Sequence, residues 1–78
     1  MAIGAAELDQ KQAAYKAAVE QWIAAIRHEE ELASVADHSV AQIDQWEEAA
    51  DHEDDLREAA KDAKSAYEDA LRKKFFHF

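Results

Sequence analysis

Large apolar side chains recur along the chain in steps of three, four and seven residues, the spacing of one face of an α-helix. The first stripe comprises Leu8, Tyr15, Val19, Trp22, Ile26 and Ala33. The second comprises Ile43, Trp46, Ala50, Ala60, Tyr67, Leu71 and Phe75. The stretch ASVADHSVAQ lies between the two stripes. The pattern predicts one helix at about residues 5–36, a turn at about 37–39 and a second helix at about 40–75.

The start of the second helix has a recognisable capping pattern. Ser39 stands three residues before Gln42, the spacing of a capping box, in which a hydroxyl and an amide satisfy the first free N–H groups of a helix. Asp37 and Ser34 are rival caps, since both side chains can accept the same kind of hydrogen bond. The sequence therefore predicts a break near residue 37 without proline or glycine.

Composition leaves little room for any class except all-α. The chain has 78 residues, no proline, no cysteine and a single glycine, and good helix formers fill most of it. This length allows one domain at most, close to the lower limit for independent folding. We expect residues 1–78 to form a single helical-hairpin domain, without disulfides or thiolate metal sites to stabilise it.

A segment of the first stripe is repeated in the second. VEQWIAAIRHEEEL, residues 19–32, and IDQWEEAADHEDDL, residues 43–56, share their Trp, His-Glu and Leu positions at an offset of 24 residues. On one straight helix this offset would rotate the two tryptophans about 240° apart. A hairpin that turns near residue 37 instead places Trp22 level with His52 and Glu53, and Trp46 level with His28 and Glu29. The repeat thus predicts pseudo-two-fold packing with equivalent tryptophans, unless it is a coincidence of an Ala- and Glu-rich composition.

The apolar arcs are wider than one partner helix can cover. We therefore expect two hairpins to pair into a homodimeric four-helix bundle. Glu29 and Glu53 intrude on the arcs, and each either accepts from the indole of the opposite helix, pairs with Arg57 in the case of Glu53, or reaches solvent. The residues predicted for the interface are Trp22, Ile26, Trp46, Tyr67, Leu71 and Phe75.

Charge is distributed unevenly along the predicted hairpin. The net charge is −9, yet residues 21–55 contain eleven acids and one base, Arg27. The turn half therefore carries −10 and the remainder +1. Such a field attracts basic proteins or cations and repels nucleic acid and anionic membranes, so we expect neither of the latter as partners. The simpler interpretation is a solvated acidic face that keeps a small protein in solution.

Candidate chemistry is sparse. A weak divalent-metal site has its candidate ligands one helical turn apart, at His28, Glu31, Glu48, His52 and Asp55. Ala25 and Ala49 stand where a di-iron bundle would place the Glu of its Glu-x-x-His motif, and both histidines lie about 120° from the tryptophan stripe. We expect no cofactor and no enzymatic activity, because no phosphate-binding loop or activated nucleophile is evident.

The remaining expectations concern the ends of the chain and its role. Arg72 and the two lysines after it suit the negative end of a helix dipole, and the three phenylalanines of the chain follow them in LRKKFFHF. No secretory signal or membrane span is evident, and the lack of cysteine fits a reducing compartment, so we expect a cytoplasmic protein. The chain lacks the Trp-x-Gly turn of WXG-type hairpins, and no family is assigned. We expect a non-enzymatic interaction protein that acts as a homo-oligomer; the alternatives are an acidic adaptor or inhibitor and a weak metal-binding bundle.

Overall fold

The computed structural model describes residues 4–34 and 39–76, and within these residues the chain forms two α-helices and no strand. Helix α1 spans Ala5–Ala33 and helix α2 spans Val40–Phe75. The two helices pack side by side in opposite directions, giving a rod of 56 × 16 × 13 Å. The prediction of an all-α helical hairpin is therefore confirmed.

The helix ends near the turn are set by two serines. Ser39 is the N-cap of α2, where its hydroxyl oxygen accepts from the Gln42 backbone N–H at 3.3 Å. Ser34 is the C-cap of α1, and its hydroxyl donates to the Glu30 carbonyl at 2.9 Å. Helix α1 ends at Ala33, three residues earlier than predicted. The rival cap Asp37 and the predicted turn residues 37–38 lie outside the described residues.

The contact between the helices is a heptad seam, with residues spaced alternately by three and four. On α1 the seam comprises Leu8, Lys11, Tyr15, Ala18, Trp22, Ala25, Glu29 and Leu32. On α2 it comprises Gln42, Trp46, Ala49, Glu53, Leu56, Ala60, Ala63, Tyr67, Ala70 and Lys74. All of these side chains are buried or half-buried except Trp46. The predicted stripes were close to this seam but rotated from it, since Val19 and Ile26 lie beside the seam rather than in it.

The buried core of the described residues consists of four alanines: Ala25, Ala49, Ala60 and Ala70. Small side chains let two helix backbones approach closely, but each buries little apolar area, and the hydrophobic contribution scales with that area at about 25 cal/mol per Å². No large side chain among the described residues is fully buried. The isolated hairpin therefore has few of the contacts that stabilise a domain of this length.

Candidate interaction surface

The most specific contact across the seam joins Trp22 to Glu53. The indole Nε1–H of Trp22 donates to Glu53 Oε1 at 2.6 Å, and both side chains are half-buried. A carboxylate removed from water needs such a donor, because an unpaired charge in a partly apolar setting is costly. This contact confirms that Trp22 lies level with Glu53. The other partner considered for Glu53, Arg57, instead lies 3.7 Å from Asp54.

The corresponding contact at Trp46 is not formed. Trp46 is 45% exposed, and in the described residues it makes no hydrogen bond with Glu29. The predicted equivalence of the two tryptophans is therefore wrong for this hairpin. Trp46 lies in the turn half of the hairpin, two helical turns after the N-cap Ser39 of α2.

Away from the turn, the seam is filled by two tyrosines. The rings of Tyr15 and Tyr67 stack with centroids 6.5 Å apart and planes inclined by 28°. Aromatic pairs in this range add about 0.5–1.5 kcal/mol beyond the area they bury. Both rings border a shallow groove that also includes Val19 and Lys16. Tyr67 is thus used within one chain, although the sequence placed it at an interface between chains.

A second apolar surface lies to one side of the seam. Its residues directly follow seam residues in the sequence, and one step along a helix rotates a side chain by about 100°. In an antiparallel pair, the residues that follow the seam on both helices lie on the same side of the hairpin. We call this surface the apolar flank; it comprises Val19, Ile23, Ile26, Ile43, Ala50, Leu71 and Phe75.

The apolar flank is open to solvent. Ile23 is 42% exposed, Ile43 45% and Phe75 60%, while Val19 and Ile26 are half-buried. Scattered exposed apolar residues are ordinary, but in the turn half of the hairpin Val19, Ile23 and Ile26 lie on successive turns of α1 beside Ile43 and Ala50 of α2, and a cluster of this kind marks a site of interaction. The remaining flank residues, near the C-terminus of α2, are separated from this cluster by charged positions. Trp46, which is 45% exposed, lies in the seam one helical turn after Ile43 of the flank. The flank is therefore the candidate interaction surface.

The opposite side of the hairpin, which we call the histidine flank, is different in composition. Its residues directly precede seam residues, and His28 and His52 together line two shallow depressions there, one of which also includes Glu48. Both imidazoles are exposed. Among the described residues, no group of three or more metal-ligating side chains is arranged to hold an ion. Glu31 and Asp55 are exposed side chains on the same helices and complete no such group.

The six side chains predicted for an interface separate into two groups. Trp22 and Tyr67 are engaged in the seam, by the hydrogen bond to Glu53 and the stack on Tyr15. The other four lie on the apolar flank or at its edge: Ile26, Trp46, Leu71 and Phe75. The prediction omitted Ile23 and Ile43, which could have been recognised because each directly follows a seam residue in the sequence. That signal becomes readable only when the heptad phase is known.

The charged side chains show the same asymmetry as the sequence. Every ion pair of the described residues lies on α2 from Asp54 onwards and is exposed; the pairs are Arg57–Asp54, Lys61–Glu58, Arg72–Glu68 and Arg72–Asp69. Exposed pairs of this kind contribute only about 0–1 kcal/mol each. The acids of the turn half up to Glu53 therefore have no basic partner within the described part of the chain.

Comparison with protein-family models, curated proteins and solved structures gives no significant match. Neither helix, over the described residues, has a stretch that combines the length and apolar character needed to cross a membrane.

Proposed function

We propose that this protein is a non-enzymatic helical hairpin that acts by self-association, two copies packing into a four-helix bundle. The observation that carries the proposal is the apolar flank, which the hairpin's own seam leaves uncovered. A helix pair whose core is four alanines gains most by burying larger side chains such as Ile23 and Ile43 against another helix pair. The lack of cysteine suits a cytoplasmic setting for such an assembly.

The test is a matched pair of charge substitutions in the same turn of α2. Ile43→Glu places a carboxylate on the apolar flank, whereas Gln45→Glu adds the same charge on the histidine flank. Sedimentation should show a concentration-dependent dimer for the unaltered chain. Ile43→Glu should raise the dissociation constant about tenfold or more, and Gln45→Glu should change it by about twofold or less. A chain that stays monomeric at high concentration would contradict the proposal.

Tryptophan fluorescence supplies an independent readout of the same event. In a Trp22→Phe variant the remaining indole, Trp46, is half-exposed beside the flank, so its emission should shift to the blue as concentration rises. In the matched Trp46→Phe variant the remaining Trp22 lies in the seam, and its emission should not change with concentration. Equal responses from the two variants would mean that association does not cover the flank.

The charge distribution favours a second candidate, an acidic adaptor or inhibitor that binds a basic protein surface. The turn half carries acids that have no ion pair within the described residues. Binding to a lysine-rich peptide, measured by calorimetry at low and high salt, tests this candidate. Affinity should fall steeply when the Debye length shrinks from about 30 Å to about 8 Å. Binding that is insensitive to salt would exclude it.

A further inference from the structure

The apolar flank changes character along the rod in an ordered way. From the turn end, its α2 border carries apolar Val40 and Ile43, then the acids Glu47 and Asp54. The middle of the border is basic, Glu68 follows it, and the C-terminal end of the border is apolar. The basic residues are Arg57, Lys61 and Lys64, and the distal apolar residues are Leu71 and Phe75. The α2 border therefore has apolar side chains at both ends, with its acidic segment on the turn side of the midpoint of α2. The α1 border is apolar only in the turn half, and its open end carries Asp9 and Gln12.

On this basis, and resting on the proposed function, we propose that the partner is a second copy of the chain bound antiparallel through the apolar flank. The two-fold axis passes near Arg57, the midpoint of Val40–Phe75. With complete overlap of the rods, Ile43 of one copy then lies against Leu71 of the other, and Val40 lies against Phe75. The same register sets Asp54 opposite Lys61, and Glu47 opposite Glu68, whose carboxylate pairs with Arg72 of its own chain.

Charge decides between the two possible orientations. A parallel pair would place one acidic turn half, with eleven acids and one base, beside the other. The antiparallel pair places each acidic half beside the half of its partner that contains seven acids and eight bases. Because surface charges interact over a Debye length of only about 8 Å, the local neighbour matters more than the total charge of the 56 Å rod. The antiparallel orientation therefore avoids the largest repulsion.

The size and symmetry of the surface fit a closed dimer. One side of the rod measures 56 by 16 Å, comparable with the roughly 800 Å² per partner that stable interfaces bury. Because the contact is isologous, both copies use the same surface, and each covers that of the other. No flank is then left free to bind a third copy. A discrete dimer is the expected product, not a filament.

Distances between spin labels on single introduced cysteines test the arrangement, and the chain has no native cysteine to interfere. In the antiparallel dimer, labels at Ile43→Cys should be about 43 Å apart, since each lies about 14 residues from the axis at 1.5 Å per residue. Labels at Arg57→Cys should be within about 20 Å, because this position lies near the axis.

Ala59→Cys is the matched control, because it lies at the same height on the histidine flank. Its labels should be about 30 Å apart or more, since both helix pairs lie between them and each helix is about 10 Å across. A short distance at Ile43 would establish a parallel dimer, and a short distance at Ala59 would place the contact on the other flank. Either result would overturn the inference while leaving self-association intact. A monomer, with no intermolecular distance at any site, would overturn the proposed function itself.

Discussion

Trp22 and Trp46 occupy the same place in the repeated segment but have different surroundings. Trp22 is half-buried and donates to Glu53 across the seam, whereas Trp46 is 45% exposed and makes no equivalent bond. The alanines three residues later are nevertheless equivalent, with Ala25 8% and Ala49 9% exposed. The repeat thus describes the phase of each helix against its partner, but it does not determine whether the tryptophan is hydrogen-bonded across the seam.

This difference also separates two roles for the same residue type. Trp22, in the middle of the rod, fixes the register between the helices through a directional hydrogen bond. Trp46, in the turn half of the hairpin, is 45% exposed and lies one helical turn after Ile43 of the apolar flank. One sequence pattern therefore serves folding at one site and, on our proposal, association at the other.

The largest expected effect comes from truncating each tryptophan in turn. At the lowest measurable protein concentration, Trp22→Ala should lower the free energy of unfolding by about 2–3 kcal/mol, below the 3–5 kcal/mol of a fully buried ring. Trp46→Ala should cost about 1 kcal/mol or less, because half of its surface is already in water. Urea unfolding followed by circular dichroism measures both. Equal costs under these conditions would restore the equivalence of the two sites.

Raising the protein concentration sharpens this result. If the apolar flank is covered on association, the cost of Trp46→Ala should increase with concentration, while the cost of Trp22→Ala should stay constant. If Trp22→Ala does not fold, Trp22→Phe retains most of the ring and removes only the N–H donor. The loss in unfolding free energy for Trp22→Phe, which should be smaller than for Trp22→Ala, can then be compared with that for Trp46→Phe.

The next largest effect concerns Ala25 and Ala49, the two repeat positions that are buried to the same extent. Ala25→Leu and Ala49→Leu should each destabilise the hairpin by about 1–3 kcal/mol, because a larger side chain in the seam forces the helices apart. The two costs should agree within about 0.5 kcal/mol if the seam is symmetric there. Ala24→Leu, one residue outside the seam and exposed, is the control and should have little effect. If the losses in unfolding free energy for Ala25→Leu and Ala49→Leu differ twofold, the repeat in the sequence does not correspond to equivalent packing.

A smaller effect should show whether the turn end of the rod, near Trp46, unfolds independently of the region around Trp22. Ser39→Ala removes the hydroxyl that accepts from the Gln42 N–H and should cost about 1 kcal/mol. Because the lost cap lies two turns before Trp46, fluorescence of Trp46 should report fraying that fluorescence of Trp22 does not. Ser65→Ala, at an exposed position inside α2, is the control and should be neutral or slightly stabilising. Fraying at both tryptophans would mean that the hairpin opens as one unit.

The sequence was sufficient for the fold because periodicity and caps are local properties. The range of α2, the cap at Ser39 and the level of Trp22 with Glu53 all follow from spacing and from the offset of the repeat. It was insufficient for the phase of the seam, because alanine and glutamate occur on every face and do not distinguish a buried position from an exposed one. Lys11 and Gln42 lie in the seam, whereas Ile23 and Ile43 lie outside it. Only the position of the second helix resolves which set faces inward.

The smallest expected effect, that of Glu53→Gln, tests whether the Trp22–Glu53 bond depends on charge. Glu53→Gln leaves a side-chain oxygen that can accept from the indole N–H, so the substitution should cost only a few tenths to about 1 kcal/mol. Glu53→Ala leaves the half-buried N–H without its partner and should cost more, about 1–2 kcal/mol. At the equivalent position, Glu29→Gln and Glu29→Ala should cost equally little, because Trp46 makes no bond there. Chemical denaturation of the four variants measures the differences. If Glu29→Ala proves as costly as Glu53→Ala, Trp46 is bonded in solution after all, and the two sites differ only in their exposure.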